Sequence, residues 1–175
     1  MPGHVILSHG SDTGPDATKV SVLAKVAESM GWSTERPDYR QDDALGFAGS
    51  VTPRIARLHD RIAASAAPPV LVGSSMGSFV SGLASLEQPV AGLFLLATPS
   101  LIPGSDYAFD LREDAPTLLI HGWQDDVCPI DEIYEFARRR YLRLLVLDDD
   151  HRLGGHIDEL SRQFGSFLEQ LAKHA

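Results

Sequence analysis

The feature that most constrains the fold is an alternation of short, unbroken apolar runs with longer segments of helical spacing. His4 to Ser8, Pro69 to Gly73, Val90 to Ala97, Thr117 to His121 and Leu142 to Leu147 read as strands, with Ser33 to Pro37 as a weaker one. Helical spacing fills the gaps. Asp16 to Met30 places Val20, Leu23, Ala24 and Ala27 on one face, with Gly31 as a stop. Thr52-Pro53 reads as an N-cap followed by proline at the first helical position, opening a helix with Ile55, Leu58, Ile62 and Ala66 on one side. Ser75 to Leu86, Asp131 to Arg140 and Ile157 to Lys173 complete the set. Strands that are apolar along their whole length must be covered on both faces, and the intervening helices supply that cover. The expected architecture is therefore α/β: a three-layer αβα sandwich on a six-stranded, mostly parallel sheet, formed as a single domain over residues 1–175. Pro37 to Ser50 and Thr98 to Ala115 read as irregular stretches, candidates for the walls of a site.

Composition narrows the partners. A formal net charge of -9 repels phosphate backbones and anionic membrane surfaces, which argues against nucleic acid and membrane partners. No apolar run approaches the about 20 residues of a membrane span, and the amino terminus lacks the basic region and apolar core of a secretory signal. Cys128 is the only cysteine, so no intrachain disulfide can form. These features give the expectation of a cytoplasmic protein. The edges of a small apolar sheet leave a homo-oligomer open.

The sharpest chemical signal is Gly73-Ser74-Ser75-Met76-Gly77, a G-x-S-x-G motif lying between a strand and a helix. Small residues two positions either side let strand and helix pass close to a tight, strained turn. Ser75 then projects at a helix amino terminus, where backbone dipoles favour developing negative charge. A serine hydroxyl needs a base, and the base needs orientation. His121 to Pro129 follows one strand and carries Asp125. Asp148-Asp149-Asp150-His151 follows the last strand and carries His151. The chain order serine, acid, histidine makes Ser75, Asp125 and His151 the candidate nucleophile, orienting acid and base.

Other residues compete for these roles. Motif spacing favours Asp125 over its neighbour Asp126. His156 stands as a second candidate base, where the chain enters the last helix. The Asp148–His151 cluster reads as an exposed acidic turn rather than a set of metal ligands, because no partner with ligand spacing accompanies it. His9 and His121 suit structural hydrogen bonding, whereas His4, His59 and His174 have no partner in view. Cys128 reads as a small apolar residue.

The chain resembles the α/β-hydrolase superfamily, in particular its small members without a cap, related to dienelactone hydrolases and carboxylesterases. The resemblance rests on Leu7-Ser8-His9-Gly10, Gly73 to Gly77, the H-G-x-x-D-x-x-x-P spacing of His121 to Pro129, and Asp150-His151-Arg152-Leu153. It implies that the first two strands of the usual eight are missing and that the six present follow the order 2-1-3-4-5-6. It implies Asp125 as the acid and His151 as the base. It also implies an oxyanion hole from the backbone N–H of Met76 and of Ser11, or of Asp12 if the turn is shifted by one residue. His9, Trp123, Tyr107 and Phe109 are the candidate substrate-binding residues. The stretch after the fourth strand is too short for a cap domain, so an open cleft is expected. The implied activity is hydrolysis of a carboxylic ester or thioester of a small acyl substrate, with no cofactor and no metal. An acyltransferase, a silent binding module on the same scaffold, or a structural subunit are the alternatives.

Overall fold

The computed structural model describes residues 2–174. Its strands are β1 (His4–Ser8), β2 (Ser33–Glu35), β3 (Val70–Ser74), β4 (Gly92–Leu96), β5 (Thr117–Gly122) and β6 (Arg143–Leu147). They form one sheet in the order β2-β1-β3-β4-β5-β6, and every pair is parallel. This is the order the resemblance implies. The helices are α1 (Thr18–Ser29), α2 (Arg40–Asp43), α3 (Gly46–Ala64), α4 (Met76–Glu87), α5 (Ile130–Arg140) and α6 (Ile157–His174).

Because side chains alternate along a strand, the apolar runs build two cores. Ile6, Leu71, Leu93, Leu95 and Leu119 face one side, where they meet α3, α4 and α5. Val5, Val72, Phe94 and Ile120 face the other, where Leu23 of α1 and Phe164 and Phe167 of α6 cover them. The Phe94 ring lies 4.9 Å from that of Phe164 and 5.7 Å from that of Phe167. From β1 the chain moves outward to β2, whereas from β3 it moves the other way to β4. The carboxyl ends of β1 and β3 therefore flank the point at which strand order reverses, where ligand crevices of open α/β sheets lie.

Three expectations need correction. Thr52-Pro53 does not begin a helix: Pro53 lies well inside α3, and the helix opens at Gly46. Burial of Val51, one turn before Ile55, extends the apolar stripe upstream and outweighs the preference of proline for a first helical position. Pro37 to Ser50 is accordingly not irregular throughout, since it contains α2 and the first turn of α3. At the other end α3 stops at Ala64, which leaves Ala66 exposed beyond it. The stretch from Thr98 to Ala115 is without helix, pinned by a bridge between Leu101 and Ala108.

Candidate active site

The turn between β3 and α4 fixes Ser75. Its backbone adopts φ 54° and ψ -119°, in the left-handed half of conformational space that non-glycine residues avoid. The two motif glycines make this turn possible. A Cβ on Gly73 would sit 2.4 Å from Gly77 O and the Ser78 backbone, and one on Gly77 would sit 2.0 Å from Ser8 O. Further bonds hold the turn: Ser75 N–H donates to Leu96 O at 2.9 Å, and Ser78 Oγ donates to Ser75 O at 2.8 Å. Met76 opens α4, so no carbonyl one turn earlier in the helix accepts its N–H.

His151 reaches Ser75 from the loop after β6, with Nε2 at 3.0 Å from Ser75 Oγ. Its other nitrogen, Nδ1, lies 2.7 Å from Asp125 Oδ2. A carboxylate only accepts, so Nδ1 carries the proton and Nε2 is left free to accept the Ser75 hydroxyl proton. Asp125 is buried, and three donors hold its two oxygens. Val127 N–H at 3.0 Å and Cys128 N–H at 2.7 Å reach Oδ1, Oδ2 takes the His151 bond, and the His121 ring, whose Nε2–H donates to Cys128 O at 2.7 Å, lies with Nε2 3.2 Å from Oδ2. Burial alone would raise its pKa, but the polar groups of His121, His151 and Cys128 outweigh burial and hold it well below the ordinary carboxylate range. Asp126 is exposed and takes no part in this arrangement.

The loop that carries His151 has its own fastening. Asp149 Oδ2 accepts His156 Nδ1 at 2.8 Å and Gly155 N–H at 3.0 Å, and Asp149 O accepts Gln124 N–H at 3.0 Å. Lys19 Nζ donates to Arg152 O at 2.7 Å. His156 is thus a tie for the loop, and His151 is the histidine that meets Ser75.

Comparison with solved structures fits this geometry. The chain is 41% identical to a protein of the α/β hydrolase superfamily from Xanthomonas campestris pv. campestris, with a TM-score of 0.91 over 96% of this chain and 99% of that one. The chain belongs to the α/β-hydrolase superfamily. An alpha-beta serine hydrolase homologue from Coxiella burnetii shares the fold at 22% identity and TM-score 0.75, over 96% of this chain and 86% of that one. Est1E from Butyrivibrio proteoclasticus shares it at 18% identity and TM-score 0.73, over 97% and 88%. No protein-family model matches the sequence, and a search of curated proteins finds no match.

In this α/β hydrolase the remaining predicted residues divide. Ser11 and Asp12 both border a cavity of about 150 Å³, shared with Asp43, Gly46, Phe47 and Ser50. Gly10 lies against the nucleophile turn, since a Cβ on it would sit 3.7 Å from Ser75 Cβ. Trp123 and Tyr107 are exposed, and the Tyr107 hydroxyl lies 3.3 Å from Thr52 Oγ1. Phe109 and His9 do not fit a substrate-binding role. Phe109 is buried in the core, stacked between Phe79 and Phe136, because its ring fills the space left by Gly82. His9 is fully buried with both nitrogens engaged: Nε2 accepts Tyr39 N–H at 3.0 Å, so Nδ1 carries the proton that goes to Gly10 O at 2.7 Å. Burial lowers its pKa. His4 and His59 do have partners, Ser33 Oγ at 2.8 Å and Ala84 O at 3.3 Å. The side chain of His174 lies outside the described residues.

Asp125, Cys128 and His151 form the one cluster of metal-ligand type among the described residues. Two of its members, His151 and Asp125, are hydrogen-bonded to each other at 2.7 Å, the arrangement of a proton-transfer pair. Burial, together with the Asp125 and Glu132 charges, pushes the Cys128 thiol up to about 12, so it stays protonated at neutral pH and is a poor nucleophile. No helix among the described residues is long and apolar enough to cross a membrane.

Proposed function

We propose that this α/β hydrolase is a serine hydrolase that cleaves a carboxylic ester, or a thioester, of a small substrate through an acyl-enzyme. The observation that carries the reading is the unbroken chain of contacts from Ser75 Oγ through His151 to Asp125, at 3.0 and 2.7 Å. His151 Nε2 takes the Ser75 proton as Oγ attacks the carbonyl carbon, and Asp125 stabilises the resulting imidazolium. The tetrahedral oxyanion is held by Met76 N–H and Ser11 N–H. Collapse of this intermediate expels the alcohol or thiol, which takes the proton from His151. Water, deprotonated by His151 in turn, then cleaves the acyl group from Ser75 and restores the hydroxyl.

A cavity of about 150 Å³ beside Ser11 is smaller than the roughly 300–1,000 Å³ of sites for drug-sized ligands, which favours a short acyl or alcohol group. Esterases among the structures of shared fold, Est1E and esterase PE8, support the choice of ester. The free thiol of Cys128 suits a reducing compartment, the cytoplasm. Turnover of a short-chain aryl ester by the wild type and its loss in Ser75→Ala, with folding intact, is the test. Equal turnover by that variant removes Ser75 as the nucleophile.

A further inference from the structure

Arg54 is the largest fully buried side chain in the protein, and nothing in the motifs accounts for it. It projects from α3 beneath the loop that follows β1. Its guanidinium spends two nitrogens on Asp43, with Nε 2.7 Å from Oδ1 and one terminal nitrogen 2.7 Å from Oδ2. That terminal nitrogen also donates to Gly10 O at 3.1 Å, and the other donates to His9 O at 2.7 Å. The Tyr39 ring lies under the guanidinium carbon at 4.5 Å. Gly10 O is held further by His9 Nδ1–H at 2.7 Å and Thr13 Oγ1 at 3.2 Å.

We infer that Arg54 is a positioning residue for catalysis, because it holds the His9 and Gly10 carbonyls inward and so turns the Ser11 N–H outward as the second oxyanion donor. This role of Arg54 presupposes the serine-hydrolase reading above and follows from peptide geometry. A trans peptide is planar, with its C=O and N–H pointing in opposite directions, and no peptide bond among the described residues is cis. The Gly10–Ser11 peptide has its oxygen fixed on Arg54, His9 and Thr13, so its N–H faces away from them. Gly10 abuts the Ser75 turn, and Ser11 lines the neighbouring cavity. The three ties fall on Gly10 O, which assigns the second donor to Ser11 rather than Asp12. A flat, forked guanidinium can bond Asp43 and both carbonyls together, whereas the single ammonium of a lysine cannot match that pattern.

An oxyanion donor acts when charge develops, so its misplacement lowers kcat and leaves KM nearly unchanged. Arg54→Lys is expected to lower kcat on the order of 10²-fold, the effect of losing one such donor. In a Ser11→Pro background, which lacks the N–H, Arg54→Lys should cost little more. Full additivity of the two losses, or a parallel fall in kcat and folded fraction, overturns the inference.

A measurement on the wild type does not depend on whether either variant folds. Phosphonylation of Ser75 by a fluorophosphonate, with loss of fluoride, places a polarised phosphoryl oxygen in the oxyanion position, and amide NMR then reads which N–H groups bind it. Downfield shifts at Met76 and Ser11 support the assignment. A shift at Asp12 with none at Ser11 overturns it while leaving the hydrolase reading standing. Failure of the wild type to react at Ser75 removes that reading, and with it this one.

Discussion

Asp125→Asn tests the proton inventory of the site. Two backbone donors, Val127 N–H at 3.0 Å and Cys128 N–H at 2.7 Å, point at Oδ1, so the asparagine carbonyl oxygen must take that place. Its amide nitrogen then occupies the Oδ2 position, 2.7 Å from His151 Nδ1 and 3.2 Å from His121 Nε2. A donor now faces His151 Nδ1, which can only respond as an acceptor, and the ring proton moves to Nε2. Nε2 then donates to Ser75 Oγ and cannot take its proton. His121 is caught as well: its Nε2–H is already committed to Cys128 O at 2.7 Å, and its Nδ1 is buried without a partner. A wrong-tautomer histidine of this kind costs roughly 10⁴ in kcat, about 5 kcal/mol of barrier. The donor–donor clash costs about 1–3 kcal/mol of stability, less than the about 5–15 kcal/mol available to a typical domain, so the variant should fold. Aryl-ester hydrolysis from pH 6 to 9 with a parallel melting curve reads both quantities. A variant that keeps kcat within about tenfold of wild type while folded refutes the tautomer argument.

Three further outcomes follow from the same contacts. Gly77→Ala puts a Cβ 2.0 Å from the Ser8 carbonyl, where only backbone can give way, and should cost about 3 kcal/mol or more; Gly154→Ala, with nothing within 4 Å, should melt near the wild type. Asp125 and Asp149 have folded pKa values depressed below the unfolded value of about 3.9. Their contribution to stability is therefore complete above that value and lost as pH falls through the folded ones; Asp149→Asn should flatten this acid limb in unfolding curves, and an unchanged limb contradicts it. Cys128, held protonated, should react only slowly with iodoacetamide at pH 8, and Cys128→Ala should retain turnover; rapid inactivation by the reagent contradicts this.

What the sequence made legible follows from which forces are local. Whole-strand apolarity encodes burial on both faces, so β1, β3, β4 and β5 and their parallel pairing could be read from Val5-Ile6-Leu7 and its counterparts. The nucleophile turn was legible as G-x-S-x-G between a strand and a helix; Gly73 answers to Gly77 and Ser78 a few residues on, whereas Gly77 answers to Ser8 at the distant end of β1. The start of α3 was not, because proline's local preference pointed to Thr52 while burial of Val51 against the sheet decided otherwise. Phe109 misled for a similar reason: a loop aromatic looks like a pocket wall until the gap over Gly82 claims it. Arg54, Asp43 and Tyr39 left no motif. A lone arginine on an apolar helix face, one turn above Leu58, was the available signal, and its meaning depends on carbonyls far away in sequence. The Asp149–His156 tie was hidden inside an acidic run that reads as solvated surface.

Every step above requires covalent chemistry at Ser75, which trapping the acyl-enzyme would make visible. Wild-type protein mixed with excess p-nitrophenyl acetate, acid-quenched within the first turnovers and digested, should show an acetyl group on the peptide holding Ser75 and nowhere else. The burst of nitrophenol should match the concentration of protein. Steady turnover without a burst, and with an unmodified Ser75 or an acetyl group on His151, would contradict the account.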